Sequence, residues 1–307
     1  MDCTKEYIRD IQLAGLKMLH EFDNVCKEHG VSYFAISGTL LGAIRHKGYI
    51  PWDDDLDLGI LREEYEKLEK IPPEAWGNEI ELVTAENDDV KHDKLFPRIY
   101  LKNSRIQSYE DVREWKDPNT GEAWSTSLMI DLFVFDEIPD NENEYQKVRK
   151  NVQRLRNRYK SVKLKANING SFDKQKAKRY VKYLYGTLMR KLYGHPWKRL
   201  YNRHMDIISN APRGNRIGCY YSTLGHVCVI KKDIFPLQFT DFEDMMLPIP
   251  NNYRELLELN YGDTYMQFPP ENERYHINFI FADLGNGRIL NIDSVPGSLG
   301  EKYQEDK

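Results

Sequence analysis

The sequence predicts an α/β (α+β) fold: a mixed sheet, helices on its flanks, and a basic helical insertion. Three observations predict it. Strand-like runs, rich in β-branched and aromatic residues, alternate with stretches of helical apolar spacing. Apolar residues make up 40% of 307 residues and aromatics 12%, enough for a sizeable core. Charge is unevenly distributed: residues 147–203 hold 19 Lys or Arg and a single acid, Asp173, leaving 25 basic and 47 acidic residues elsewhere.

The elements follow in order. Ile8, Ile11, Leu16, Leu19, Phe22 and Val25 recur at helical spacing across residues 5–29, and Gly30 ends that helix. VSYFAI (31–36) reads as a strand, and SGTLLGAIRH (37–46) as a turn leading into a short helix. DLDLGI (55–60) has strand period, and REEYEKLEKI returns to helix. Beyond Pro72 and Pro73, IELVTA, LFPRIYLK and LMIDLFVFDEI are strand candidates. The last carries Asp131 within an apolar run, while Asp136 is read as loop. Residues 110–126 hold a turn-rich loop around Asp117-Pro118-Asn119-Thr120-Gly121. After the basic, mostly helical segment, IGCYYSTLGHVCVI and FTDFEDMMLPIP are strand-like and YRELLELNYG is a late helix. No repeat of 20–50 residues is present.

Several classes are disfavoured. The four cysteines, Cys3, Cys26, Cys219 and Cys228, form no C-x-x-C pair and read as reduced thiols. The charged first residues lack a signal peptide's apolar stretch, and no apolar run reaches the ~18 residues of a bilayer span. A cytoplasmic protein is expected, with a peripheral place at the inner membrane face open to it.

The acids of PWDDDLDLGI carry the chemistry. On a strand, Asp55 and Asp57 share one face. Adjacent carboxylates repel, and a cation relieves the repulsion. Such a pair suits Mg²⁺, which takes hard oxygen ligands and completes its shell with water and phosphate; Mn²⁺ also fits. Asp131 would be costly if buried without a partner, so it is read as the third metal ligand with Asp55 and Asp57. The Ser37-Gly38-Thr39 turn is either a tight connection or a phosphate cradle, with Arg45, His46 and Lys47 in reach of phosphate oxygens.

The string GTLLGAIRHKGYIPWDDDLDLGI, with VSYFAIS before it, REEYEKL after it, MIDLFVFD, and LPIPNNYRELLELNYGDTYMQFPP near the end, resembles the LicD family of the nucleotidyltransferase superfamily. The resemblance covers most of the chain except the basic insertion. It implies a polymerase-β-like core and transfer of a phospho-alcohol, most readily phosphocholine, from a CDP-linked donor such as CDP-choline to a hydroxyl of a glycan or lipid-linked glycan, with CMP released. Asp55, Asp57 and Asp131 match the superfamily's metal carboxylates; the D-x-D-x-D pattern of fukutin relatives adds Asp53 to the catalytic set. Asp54 has no counterpart there and is read as solvated or supporting. Ser37, Gly38 and Thr39 match the phosphate-side turn.

Physical reasoning completes the expectation. Arg45 or Arg98 would steady the leaving CMP, and Asp53 or Asp131 would take the acceptor's proton. A choline head calls for aromatic faces. Trp52, beside the aspartates, is the preferred candidate among Tyr109, Trp115, Trp124, Tyr220 and Tyr221, each of which also reads as a structural aromatic. The basic insertion is read as a solvated face, as a dock for a polyanionic acceptor or anionic membrane, or as a nucleic-acid surface; the second is favoured. Glu243 and Asp244 read equally as support for the site or as a surface loop, and His276 as structural.

The expected organisation is a single domain over 1–307, with a catalytic core at about 30–140, the basic insertion at about 141–210 and a C-terminal part at 211–307. Competing readings are another nucleotidyltransferase acting on RNA or a small molecule, and a non-enzymatic calcium-binding or scaffold protein. In the calcium reading, Asp53, Asp55, Asp57 and Glu64 fall at loop positions 1, 3, 5 and 12, but Leu58 stands where such a loop needs glycine.

Overall fold

The computed structural model describes residues 3–86, 92–169, 173–220, 228–270, 274 and 279–291. Helix α1 (Cys3–His29) buries Ile8, Ile11, Met18, Leu19 and Phe22 along one stripe, and Gly30, at φ +62°, supplies the left-handed residue that ends it. Each large side chain so buried contributes ~1.5–3 kcal/mol. Strand β1 (Phe34–Ala35) is shorter than the sequence suggests, because α2 (Ser37–Arg45) begins at Ser37 itself. The Ser37-Gly38-Thr39 stretch is therefore the first turn of a helix, not a turn preceding one. Strand β2 (Asp57–Leu61) starts at Asp57, so Asp55 lies in the segment just before it, and helix α3 (Arg62–Leu68) follows.

A 3₁₀ turn over Pro73–Trp76 leads to β3 (Ile80–Val83), β4 (Arg98–Leu101) and β5 (Arg105–Ser108). The expected loop at 110–126 contains structure of its own, α4 (Tyr109–Glu114) and β6 (Trp115–Lys116). Ser108 caps α4 in a capping box with Asp111. Strand β7 (Met129–Ile138) is ten residues long. It includes Asp136, which is buried in the strand rather than placed in a loop.

The basic segment forms α5 (Glu142–Lys163), β8 (Lys165–Ala166), α6 (Lys174–Tyr193) and α7 (Pro196–Ser209). Beyond it come β9 (Arg216–Gly218), β10 (Cys228–Ile230), α8 (Lys231–Ile234), β11 (Gln238–Phe242), β12 (Met245–Ile249), α9 (Tyr253–Tyr261), β13 (Phe279–Asp283) and β14 (Ile289–Asn291).

The principal sheet has the order β1-β2-β7-β4-β3, with β9 and then β10 continuing from β7. Only the β2–β7 pair is parallel, so the sheet is mixed as expected. Strand β7 organises it: Asp131–Phe135 pair with β2, Met129–Asp131 with β4, and Asp136–Ile138 with β9. Gly59 in β2 is required by close packing, since a Cβ there would come 2.4 Å from the Phe34 ring. One apolar cluster runs from Tyr7 to Leu284 and takes in the inner faces of α1, α5 and α7. Among the described residues no helix is long and apolar enough to cross a membrane.

Candidate active site

The parallel pairing of β2 and β7 sets Asp57 directly beside Asp131, at the N-terminal ends of both strands. In the antiparallel register with β4, Arg98 lies on the other side of Asp131. The Asp131 carboxylate accepts both Arg98 Nε, at 2.6 Å, and Nη2, at 3.4 Å. Arg98 is thus the buried counter-ion of Asp131 rather than an arginine open to a leaving group.

The remaining acids enter through the segment before β2. Gln12, buried in α1, donates from Nε2 to the carbonyls of Ile50 (3.1 Å) and Asp53 (2.8 Å) and so pins that segment. Ligand oxygens of Asp53, Asp54 and Asp55 lie within 4.8 Å of one another, the one such acidic trio among the described residues. Asp54 is buried at 3% exposure, which corrects its reading as a solvated residue. Gly38 makes room for the trio, since a Cβ there would sit 2.5 Å from Asp53 Oδ2.

The electrostatics of these groups are concerted. Burial, then the Asp55 charge and a hydrogen bond to Asp55, push the Asp53 carboxyl from 3.8 up to about 9. Burial is also the largest influence raising Asp55, and Asp131 adds to it. Asp57 is raised well above the carboxylate range by burial and by Asp55, Asp131 and Asp53. Tyr261, at the end of α9, is raised by burial and by the same aspartates, which places it against the cluster. Hard carboxylate oxygens suit a divalent cation, and the group whose oxygens converge within 4.8 Å is Asp53, Asp54 and Asp55; the expected set of Asp55, Asp57 and Asp131 does not converge in that way.

The predicted binding residues divide. Ser37, at φ +50°, donates its hydroxyl to Asp57, and Thr39 Oγ1 accepts the Asp57 backbone N–H at 2.8 Å. Both hydroxyls hold the aspartate in place. Arg45 Nη1 donates to the carbonyls of Tyr265 (2.8 Å) and Gln267 (2.9 Å), which anchors the stretch after α9. His46 is lowered to about 4 by burial and by Arg45, so it is neutral at pH 7 and does not act as the expected cation. Its Nε2 is buried without a partner. Lys47 donates to Thr240 Oγ1 at 3.0 Å. Glu243 receives Arg9 Nη2 at 2.8 Å and the Tyr49 N–H at 3.1 Å, tying α1 to the turn after α2, while Asp244 contacts His20.

Trp52 is half-buried against His46 and Phe268, and the Arg274 guanidinium lies 5.4 Å from its ring centroid and 5.6 Å from that of Phe268. These two rings already hold a cation. Trp124 and Tyr220 are core residues, and Tyr109 carries Arg113 over its ring. Tyr221 and His276 lie outside the described residues.

A cavity of about 250 Å³ opens beside the acids, with Asp55 and Asp131 on one side and Lys94, Arg98 and Lys160 among its cations. Asp93 stands among these three at 3.7–3.9 Å. Burial alone would raise Asp93, but Lys94, Lys160 and Arg98 outweigh it and hold it below the usual range. Lys160 belongs to α5 and lies 4.7 Å from the Trp115 ring centroid. Asp93, Lys94, Lys160 and Tyr261 escape sequence reasoning, because no periodicity connects them. The adjacency of Asp93 and Lys94, just before a strand, is the only available signal.

A mixed sheet presenting acids at the start of its parallel strand pair, beside a cationic cavity, defines an α/β domain of transferase type. Residues 30–161 match the family model described as LicD/FKTN/FKRP, nucleotidyltransferase domain, and this segment of the chain is a LicD-family domain. The chain is 27% identical over 275 residues to the lipopolysaccharide cholinephosphotransferase LicD of Haemophilus influenzae, covering 88% of this chain and 96% of that protein. A shorter stretch of 47 residues is 47% identical to ribitol 5-phosphate transferase FKRP of Mus musculus and of Homo sapiens, covering 15% of this chain and 10% of each relative.

Proposed function

We propose that the chain transfers a phospho-alcohol, phosphocholine first among candidates, from a CDP-linked donor to a hydroxyl of a cell-surface glycan, releasing CMP. The observation that carries this reading is a group of acids, Asp53 beside Asp55 and Asp57 beside Asp131, of which Asp55 and Asp131 line a cavity that also holds Lys94, Arg98 and Lys160. Relatives named for cholinephosphate and ribitol phosphate transfer support the reaction class.

Asp53, Asp54 and Asp55 would hold Mg²⁺ or Mn²⁺, with Asp57 and Asp131 adjoining. When bound, such an ion neutralises phosphate charge and withdraws electrons from phosphorus. The chain's own residues do the rest. Lys94 and Lys160 offer charge-assisted donors to the donor's diphosphate oxygens, while Arg98 stays paired with Asp131. The acceptor oxygen attacks the phosphorus bearing the alcohol, the bond from that phosphorus to the bridging oxygen breaks, and CMP departs with the bridging oxygen. Asp131 is engaged by Arg98; Asp53, which keeps its own proton up to about pH 9 in the unliganded fold, would accept the hydroxyl proton only once a bound cation has displaced that proton. Trp52 and Phe268 would take a quaternary ammonium head only with the Arg274 guanidinium displaced from their faces.

The test is a screen of CDP-choline, CDP-ribitol and CDP-glycerol with Mg²⁺ and glycan acceptors, following CMP release. CMP formation from CDP-choline above the other two is expected. Release from none of the three would remove the donor assignment, and turnover of ATP instead would move the protein to another branch of nucleotidyl transfer.

A further inference from the structure

Helix α6 carries an apolar stripe on the wrong side for a core. Val181, Leu184, Leu188 and Leu192 recur at steps of three, four and four, and they are 65%, 48%, 54% and 62% exposed. Tyr180 and Tyr193 are also exposed on this helix. The opposite side of α6 is fixed against the body. Gly186 is buried there, and a Cβ on it would come 2.1 Å from the Ser161 carbonyl oxygen, so the backbones of α6 and α5 touch. Arg190 donates to the Val162 carbonyl at 2.8 Å, and Arg179 to Glu114 at 3.2 Å. The helix cannot roll to bury its leucines without breaking these contacts.

The surroundings of the stripe say what covers it. Helix α6 holds seven Lys or Arg and no acid. By helical geometry Lys191 falls on one border of the stripe and Lys178 on the other, and Lys174 lies in line with Leu192. Lys198 and Arg199, at the start of α7, extend the exposed basic surface, and Arg199 lies over the Tyr193 ring at 5.0 Å. A second copy of the chain would press the same unpaired cations together. A soluble polyanion would satisfy the lysines but leave the leucines in water. A surface with negative headgroups above an apolar interior satisfies both.

We propose that α6 docks flat on an anionic lipid surface, with Val181, Leu184, Leu188 and Leu192 entering the headgroup–acyl boundary and the bordering lysines meeting anionic headgroups. The helix is ~30 Å long and lies in the plane of the interface rather than across it. Lys182 of α6 lies 5.5 Å from Trp115, the ring that also supports Lys160. Docking therefore brings the cavity beside Asp131 close to acceptors carried by lipid. The docking itself does not depend on which group is transferred.

Vesicle sedimentation of the full chain tests it, using phosphatidylcholine alone and phosphatidylcholine mixed with phosphatidylglycerol. Binding at least ~10-fold stronger to the mixed vesicles is expected, with loss of that gain in L184E/L188E and partial loss in K174Q/K178Q/K191Q. Circular dichroism and the thermal transition identify any variant that has failed to fold, and the lysine variant then carries the test alone. Equal binding to both vesicle types, or retention of binding by folded L184E/L188E, would overturn the proposal. So would a wild-type dimer, seen by light scattering, that L184E/L188E dissolves without any vesicle binding. Vesicle binding can fail while CMP release persists, and the reverse, so the two readings fail separately.

Discussion

Asp131 and Asp136 stand in one strand, and the protein treats them differently. Asp136 faces a guanidinium that matches it, with Arg62 Nε and Nη2 at 2.8 and 3.1 Å. The cavity of about 360 Å³ at that end of β2 and β7 also contains Arg213 paired with Glu137 and Lys231 paired with Glu63. Each of the three cations there has an acid of the chain as its partner, with Glu66 the one acid over. At the other end, Asp131 has Arg98, but Asp53, Asp55 and Asp57 crowd beside it, and among the described residues none of these three forms an ion pair. A buried charge with its partner built in explains itself as structure. An unbalanced group, held there by Ser37, Thr39 and Gln12, points to a ligand that the chain expects from outside.

The contrast can be broken most decisively at the acids. Asp55→Asn and Asp57→Asn remove charge and keep shape, and each is expected to lower CMP release by ~10²–10³-fold. Neither should lower the melting temperature, because like-charge repulsion is relieved. A variant that melts early while turning over normally would reverse the assignment. At the paired end the opposite pattern is expected. Arg62→Ala strands Asp136, which is only 6% exposed, and should destabilise the fold by about 3 kcal/mol in urea titration, the lower end of the range because Arg62 is partly solvated. Turnover per folded molecule should persist.

Smaller effects sharpen the picture. Lys160→Ala should raise KM for the donor by ~10-fold with kcat little changed, as expected for a residue that supplies positive charge to bound phosphate. The pH response has a definite sign. Asp53 titrates at about 9 in the fold against 3.8 ordinarily, so the folded state binds its proton more tightly than the unfolded chain does. Its contribution is complete below pH 3.8 and is lost as pH rises through about 9. The melting temperature without divalent cation should therefore fall between pH 6 and 9, and added Mg²⁺ should flatten that slope. A flat profile in both conditions would remove the like-charge picture of the cluster.

Much of this was readable before the structure. Apolar spacing marks α1, and strand-like runs mark β2, β4 and β7. The charge asymmetry marks the α5–α7 segment. Asp55, Asp57 and Asp131 stand out because carboxylates in apolar runs demand a reason. What escaped has a common cause. Asp54 has no counterpart in the D-x-D-x-D pattern, which leaves it solvated or supporting, and only its burial at 3% exposure decides against the first. Asp136 was taken as loop because Arg62, its partner, is 74 positions away. Arg45 and His46 read as phosphate cations until the carbonyls of Tyr265 and Gln267, and the burial of the imidazole, account for them. Lys160 pairs with a cavity wall far removed in sequence, and no local pattern encodes that distance.

Lys160 also bears on how the chain can be shortened. The helix that carries it looks like a dispensable addition, and a protein engineer seeking a compact catalyst would trim it first. Yet its ammonium sits over Trp115 and within 3.1 Å of Glu110, inside the same hollow as Asp131. Excising α5 to α7 would take away part of the wall on which the proposed reaction depends, so a trimmed version would have to regain that positive charge from some other part of the molecule.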